Sequence, residues 1–268
     1  MVTYLDAKPL RGAERSHDLR MAITMPYPAD PEAFKKKFGI EHLLIGYGST
    51  ETAAVISYLP GTQLPPGSTG RVFPNWHVRL VDENDIEVPP GSPGEAIVRS
   101  DTPWLIATEY INNPAASATV WRNGWFHTGD LLRRDEDGNY FFIDRAKDCV
   151  RRRGMNISSF EVEAVVQSHP GVAECAVVAD RSDTSSEDEV KAWIVPDAGA
   201  RLDFPELLAY CAARLPHYMV PRYFEEIAQL PKSISAKVQK AILREMGSGR
   251  NTWDRVEHRL DVTRQSEP

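Results

Sequence analysis

Three textures of apolar and polar residues follow one another along this chain of 268 residues. Up to Ile45, short apolar pieces are broken by Pro9, Pro26, Pro28 and Pro31. Here Pro31-Glu32-Ala33-Phe34-Lys35-Lys36-Lys37-Phe38 predicts a helix, with proline in its first turn and Gly39 as its stop. Ile40-Glu41-His42-Leu43-Leu44-Ile45 predicts a strand directly after it. From 67 to 143 the runs shorten and alternate, at 77–81, 95–99 and 140–143. They are split by Pro65-Pro66-Gly67, Pro89-Pro90-Gly91 and Asp135-Glu136-Asp137-Gly138. That spacing predicts a compact antiparallel β-barrel or meander, interrupted by one short helix over 113–119.

A third texture starts when charge replaces the apolar run Tyr140-Phe141-Phe142-Ile143. Asp144, Arg145, Lys147, Asp148 and Arg151-Arg152-Arg153 follow, and Gly154 breaks the pattern. Such a run is either a solvated hairpin or a junction between domains. Asn156-Ile157-Ser158-Ser159 predicts a loop entering a helix, with Ser158 or Ser159 as N-cap and Glu161 in the first turn. The helix, over 160–168, closes at His169-Pro170-Gly171. Strands are predicted at 172–179, 190–195 and 223–227, and a helix over 204–215 places Leu207, Leu208, Cys211 and Leu215 on one face. Tyr218 and Met219 read as core, and 248–268 as a polar, frayed tail. The fold class is mixed α/β and α+β, with a small α+β domain of the size that folds alone.

Composition narrows the possibilities. A hydrophobic content of 42% supports real cores, and a formal charge of −7 gives no general attraction to nucleic acid or anionic membranes. No apolar run approaches the ~20 residues of a membrane span. Asp6, Lys8, Arg11 and Glu14 interrupt the N-terminus too early for a signal peptide. Cys149, Cys175 and Cys211 are far apart and lack metal-ligand spacing, so they read as free thiols in a reducing, cytoplasmic setting.

Four motifs point to chemistry. Gly46-Tyr47-Gly48-Ser49-Thr50-Glu51 follows a strand, the position at which α/β folds bind ligands. Trp121-Arg122-Asn123-Gly124-Trp125-Phe126-His127-Thr128-Gly129-Asp130-Leu131 places a carboxylate after a glycine. The third is Asp144-Arg145-Ala146-Lys147-Asp148 with Arg153-Gly154-Met155-Asn156-Ile157-Ser158 and Glu161-Val162-Glu163. The last is Leu230-Pro231-Lys232-Ser233-Ile234-Ser235-Ala236-Lys237-Val238-Gln239-Lys240. Read alone, Thr50 is a helix cap, Asp130 a turn residue, His127 structural and Lys237 a solvated lysine.

Together, in this order, the motifs resemble those of the adenylate-forming enzymes: acyl-CoA synthetases, peptide-synthetase adenylation domains and firefly luciferase. The triple arginine and Asn156-Ile157-Ser158-Ser159 are most similar to the crotonobetaine/carnitine-CoA ligase branch. The resemblance implies an acid–thiol ligase that joins a small carboxylic acid to CoA through an acyl-adenylate, using ATP, with AMP and pyrophosphate as products. It implies Tyr47 beside adenine, Thr50 on the nucleotide phosphate and Glu51 on Mg²⁺, which prefers carboxylate oxygen. Asp130 would accept from both ribose hydroxyls and Arg145 would reach the ribose or its phosphate side. Lys147 would be the hinge, Gly154 would border the pantetheine channel, and Arg151–Arg153 would meet CoA phosphates or water. Lys237 would touch the substrate carboxylate and the α-phosphate. The implied domains are 1–144, the C-terminal part of the large AMP-binding domain with a β-barrel subdomain, and 145–247, a mobile C-terminal domain.

The sequence departs from the pattern in places. The adenine loop's position holds Ile23-Thr24-Met25-Pro26-Tyr27-Pro28 instead of glycine and alanine, Ser233 stands for threonine, and Ala236 stands for glycine. Only 46 residues precede Tyr47, and none forms the Ser/Thr- and Gly-rich phosphate loop that relatives carry upstream. The chain is therefore expected to be a C-terminal half whose partner is the missing N-terminal half of the same enzyme. The alternatives are a non-catalytic remnant that binds nucleotide or a partner chain, and an adenylating enzyme that loads a carrier protein.

Overall fold

In the computed structural model the described residues are all except 1–4, 6–9, 11, 25–29, 59–61, 153–154, 182–186, 235, 261 and 263–268. The chain divides into two units, Met1–Ile143 and Asp144–Pro268.

The first unit begins with β1 (Met21–Ile23), α1 (Pro31–Phe38) and β2 (His42–Leu44). Asp30 starts α1 by accepting a hydrogen bond from the Ala33 N–H, and Gly39 ends it in the left-handed conformation at φ 67°. The helix is the crossover between two parallel strands, with Met21 opposite His42, and its Phe34 packs on Ile40 and Leu43.

Gly46–Glu51 is where expectation and structure first part. The residues do not loop out toward a helix. They form β3 (Gly46–Ser49), which turns at Thr50 and Glu51 into β4 (Ala53–Ser57). Gly48 makes this possible, since a Cβ there would lie 1.8 Å from the Ala53 carbonyl oxygen. Strand β5 (Arg71–Val72) completes this three-stranded sheet.

The predicted meander is an antiparallel sheet of β6 (Trp76–Val81), β7 (Pro93–Ser100), β9 (Trp125–Arg134) and β10 (Tyr140–Arg145), in the order β10-β9-β7-β6. Short β8 (Trp121–Arg122) pairs with β9 and follows α2 (Pro114–Val120), which Asn113 caps. A bridge between Gly70 and Tyr140 joins this sheet to the three-stranded one. Val55, Ile56, Leu80, Val98, Phe126 and Leu132 fill one shared core.

In the second unit, Arg151 and Arg152 lie on β11 (Val150–Arg152), which pairs antiparallel with β12 (Met155–Ile157), so the expected entry loop at 156–159 is partly strand. Helix α3 (Ser159–Gln167) follows, with Ser158 as the N-cap that accepts from the Glu161 N–H. Next come β13 (Val172–Asp180), β14 (Glu189–Pro196), α4 (Phe204–Ala212), β15 (Tyr223–Glu226), α5 (Lys240–Met246) and β16 (Trp253–Asp254). The four strands form one sheet in chain order, antiparallel except for the parallel β14–β15 pair. Val162, Val166, Leu207, Cys211, Met219 and Phe224 are buried in its core, and Tyr218 packs against them.

Residues 248–260 are not a frayed tail. Trp253 packs beside Phe204 and Phe224, and Asp254 forms a 3.0 Å ion pair with Arg222. Lys191 is fully buried and donates to the Gly247 carbonyl at 2.5 Å, to Thr252 Oγ1 at 3.3 Å and to Glu225 Oε2 at 2.7 Å. A buried ammonium that reaches three acceptors fastens this segment to the sheet.

Candidate active site

In the first unit the β3–β4 hairpin and β9 bring two predicted residues together. The Tyr47 hydroxyl donates to Asp130 Oδ2 at 3.0 Å, across 83 positions of sequence. Tyr47 is buried, with its ring 6.4 Å from that of Phe142. Asp130 sits just past Gly129, which takes the left-handed conformation at φ 70°. Its N–H donates to Thr128 Oγ1, and the Gly129 N–H donates to Glu95 Oε1. The Thr128 hydroxyl donates to the Ala96 carbonyl at 2.7 Å. These hydrogen bonds fix the carboxylate at an irregularity in the middle of β9. His127 is buried with Nδ1 3.2 Å from Glu95, in keeping with a structural part.

Glu51 is held twice by one neighbouring segment. Its carbonyl accepts from the Ala107 N–H at 2.8 Å, and its Oε1 accepts from the Tyr110 hydroxyl at 2.7 Å. The hydrogen bond to Glu51 pushes the Tyr110 phenol up to about 12, with partial burial adding to it. Sequence reasoning missed Tyr110, because a single tyrosine in a polar stretch gives no signal of a partner 59 residues away. Thr50 is exposed at the hairpin turn and is not a helix cap. The described residues contain no group of three or more His, Cys, Asp or Glu able to hold a metal. Glu51 alone fits Mg²⁺ only as part of a nucleotide complex, because that ion is commonly bound by one or two carboxylates together with substrate phosphates.

The remaining predicted residues belong to the second unit. Arg145 and Lys147 are exposed. Lys147, Arg151, Arg181 and Arg244 line a cleft of about 530 Å³ whose carboxylate is Asp188. The three arginines do not act alike. Arg152 is buried, lies 3.0 Å from Glu189 in an ion pair and donates to the Tyr218 carbonyl, so it does not meet CoA phosphates. Strand alternation puts Arg151 on the opposite, exposed face. Arg153 and Gly154 lie outside the described residues, as does most of the segment expected to hold adenine.

Lys237 occupies a loop closed at its base by the Lys232–Val238 bridge and by the Gln239 N–H donating to the Pro231 carbonyl. Lys232 and Lys237 are both exposed; Lys232 is held by Glu174 and half-buried Lys240 by Glu163, each at 2.7 Å. Ala236 sits at φ 61°, in the left-handed region where a Cβ is unfavourable. The backbone thus keeps a glycine-like geometry at this position.

Family comparison matches the description "AMP-binding enzyme" over residues 3–110 and "AMP-binding enzyme C-terminal domain" over 161–237. The chain belongs to the AMP-binding, adenylate-forming enzyme family. Among curated members of that family, it is 34% identical over 238 residues to "Acyl-coenzyme A synthetase ACSM3, mitochondrial" of Rattus norvegicus, covering 85% of this chain and 41% of the relative. It is 32% identical over 248 residues to "Crotonobetaine/carnitine--CoA ligase" of Salmonella typhi, covering 91% and 48%. A solved adenylate-forming structure, the anthranilate CoA ligase AuaEII in complex with anthranoyl-AMP, matches at 30% identity with a TM-score of 0.73, over 88% of this chain and 46% of that one. The chain therefore spans less than half the length of the curated relatives it matches. No helix among the described residues is long and apolar enough to cross a membrane.

Proposed function

We propose that this chain supplies the ribose-binding, hinge and lysine-loop part of an ATP-dependent acyl-CoA ligase. The enzyme turns a small carboxylic acid and ATP into an acyl-adenylate and pyrophosphate, and then uses CoA to form the thioester and AMP. The observation that carries the reading is the Tyr47–Asp130 hydrogen bond, which joins two family motifs into one polar site with a buried aromatic ring. Asp130 accepts from a ribose hydroxyl, and Tyr47 lies against the base. Glu51, oriented by Tyr110, would hold the Mg²⁺ that accompanies the nucleotide, which would supply neutralisation of phosphate charge. Thr50 donates to phosphate from the exposed turn.

In the second unit, Arg145 reaches the ribose side and Lys147 is the pivot. Lys237 neutralises the carboxylate and α-phosphate as the acyl-phosphate bond forms, a task whose loss typically costs ~10²–10³ in rate. The cationic cleft lined by Lys147, Arg151, Arg181 and Arg244 supports a path for CoA phosphates. The upstream half of the enzyme is the partner that brings the triphosphate loop and the acyl pocket.

A chimera tests the reading: these residues replace the matching segment of the Salmonella typhi crotonobetaine/carnitine–CoA ligase, whose upstream half is retained. Acyl-CoA formation from that enzyme's acid is expected. Lys237→Ala is expected to abolish pyrophosphate release while leaving thioester formation from supplied acyl-adenylate. A folded chimera that makes no acyl-CoA, or equal loss of both half-reactions in Lys237→Ala, overturns it. Pyrophosphate exchange without CoA consumption favours loading of a carrier protein instead.

A further inference from the structure

The start of the second unit and the base of the Lys237 loop are joined by a chain of buried and half-buried polar groups. Asp144 is 5% exposed; its Oδ1 accepts from the Arg145 N–H at 2.7 Å. Its Oδ2 accepts from both the N–H and the hydroxyl of Ser159, at 2.6 and 2.5 Å. Ser159 is fully buried, and its oxygen in turn accepts from Lys240 Nζ at 2.6 Å. The same ammonium is 2.7 Å from Glu163 Oε1, and that oxygen also accepts from the Val177 N–H. The links are short and partly charged, and they run from fully buried Ser159 to half-buried Lys240 and Glu163, a setting in which hydrogen bonds hold geometry firmly.

The position of Lys240 matters. It is the first residue of α5, three residues after Lys237 and directly after Gln239, whose N–H closes the loop onto Pro231. No side chain caps α5 at Gln239. The start of that helix is therefore held by the Lys240 side chain rather than by a cap, while farther along Leu243 is buried and Arg244 pairs with Asp148 at 3.0 Å. Glu163 is kept above the usual carboxylate range by burial, and Lys240 opposes this, as expected of two groups that depend on each other.

We propose that Lys240 is a positioning residue that fastens the lysine loop to the hinge: through Ser159 it ties the base of residues 231–239 to Asp144, so the loop and the hinge segment move as one piece. This rests on the reading that Lys237 serves adenylation. The consequence is that the reach of Lys237 is set by the Asp144–Ser159–Lys240–Glu163 relay as well as by its own loop.

Two measurements test it. The first is hydrogen exchange on the full chain, read by mass spectrometry. Lys240→Met is expected to speed exchange at least tenfold both in 232–239 and at the Arg145 and Ser159 amides, which lie at the far end of the relay. Lys240→Arg restores protection, and Lys237→Ala changes neither region. Ser159→Ala, a milder change that leaves the Lys240–Glu163 pair intact, is expected to uncouple the two ends. Faster exchange in 232–239 alone, or in neither region, overturns the proposal. The second measurement is the pair of half-reactions in the ligase chimera. Lys240→Met is expected to lower adenylation about 10²-fold, the cost of ångström-scale misplacement, with thioester formation from acyl-adenylate within twofold and partial recovery in Lys240→Arg. Coupled exchange with unchanged adenylation keeps the relay and removes the adenylating role of Lys237. Equal loss of both half-reactions reduces Lys240 to a general structural residue and overturns the positioning role.

Discussion

Lys191→Met is the most demanding test of the second unit's architecture. The Lys191 side chain is 0% exposed and its partner Glu225 12%, with Nζ and Oε2 2.7 Å apart. The same ammonium serves Gly247 and Thr252 and sits 3.9 Å from the centre of the Trp193 ring. Burial holds its pKa below the usual lysine value, while Glu225 opposes that shift. Methionine matches the volume and keeps the apolar contact with Trp193. It strands the Glu225 carboxylate, to which Thr252 still donates among the described residues, and it removes the ammonium from the Gly247 carbonyl. Removing one member of a buried pair costs about 3–5 kcal/mol, and urea slopes of about 1–3 kcal/mol per molar convert this to a midpoint roughly 2 M lower. The assay is urea unfolding followed by tryptophan fluorescence and far-UV circular dichroism, with limited proteolysis of 248–260 as the local readout. Lys191→Met/Glu225→Met is expected to regain most of the loss, because replacing both partners of a buried pair with apolar groups is close to neutral. A single variant within about 1 kcal/mol of the parent, as for an exposed lysine, refutes the reasoning.

Further predictions concern local features. Ala236→Gly is expected to stabilise the second unit by roughly 0.5–1 kcal/mol, since relief of a left-handed Cβ outweighs the added freedom of glycine in the unfolded chain; a lower urea midpoint contradicts this. Tyr110 should titrate near 12 in absorbance at 295 nm, as the difference between the parent and Tyr110→Phe among nine tyrosines. Its folded value lies above the ordinary 10.0, so its contribution to stability is complete below pH 10 and fades toward pH 12; a midpoint near 10 removes the Glu51 bond. All three cysteines are buried, with Cys149 pushed up to about 11 and Cys211 to about 12 by burial. A disulfide reagent at pH 8 should therefore label none in the native chain and three in denaturant.

What the sequence made legible follows from how local each signal is. Helix α1 has its proline, cap and glycine within ten residues, and its predicted bounds match the structure. Strands 172–180 and 189–196 announce themselves by β-branched runs. The β3–β4 hairpin was hidden because Gly46 and Gly48 carry no apolar pattern, and the contact that decides it, Gly48 against Ala53, is steric. Trp253 and Asp254 looked like tail residues because their partners Phe204, Phe224 and Arg222 are far away in sequence. Arg152 was legible in principle, since period-two alternation separates it from Arg151, but its carboxylate partner Glu189 was not. The four chemical motifs were readable as residue types in order; the Tyr47–Asp130 contact and the hold of Tyr110 on Glu51 required the fold.

Calorimetric titration of the full chain with AMP tests the central claim most directly. The account predicts one saturable site that loses at least tenfold affinity in Asp130→Ala, weakens in Tyr47→Phe and is unchanged in Lys191→Arg. Absence of binding, or equal affinity in Asp130→Ala, would contradict it.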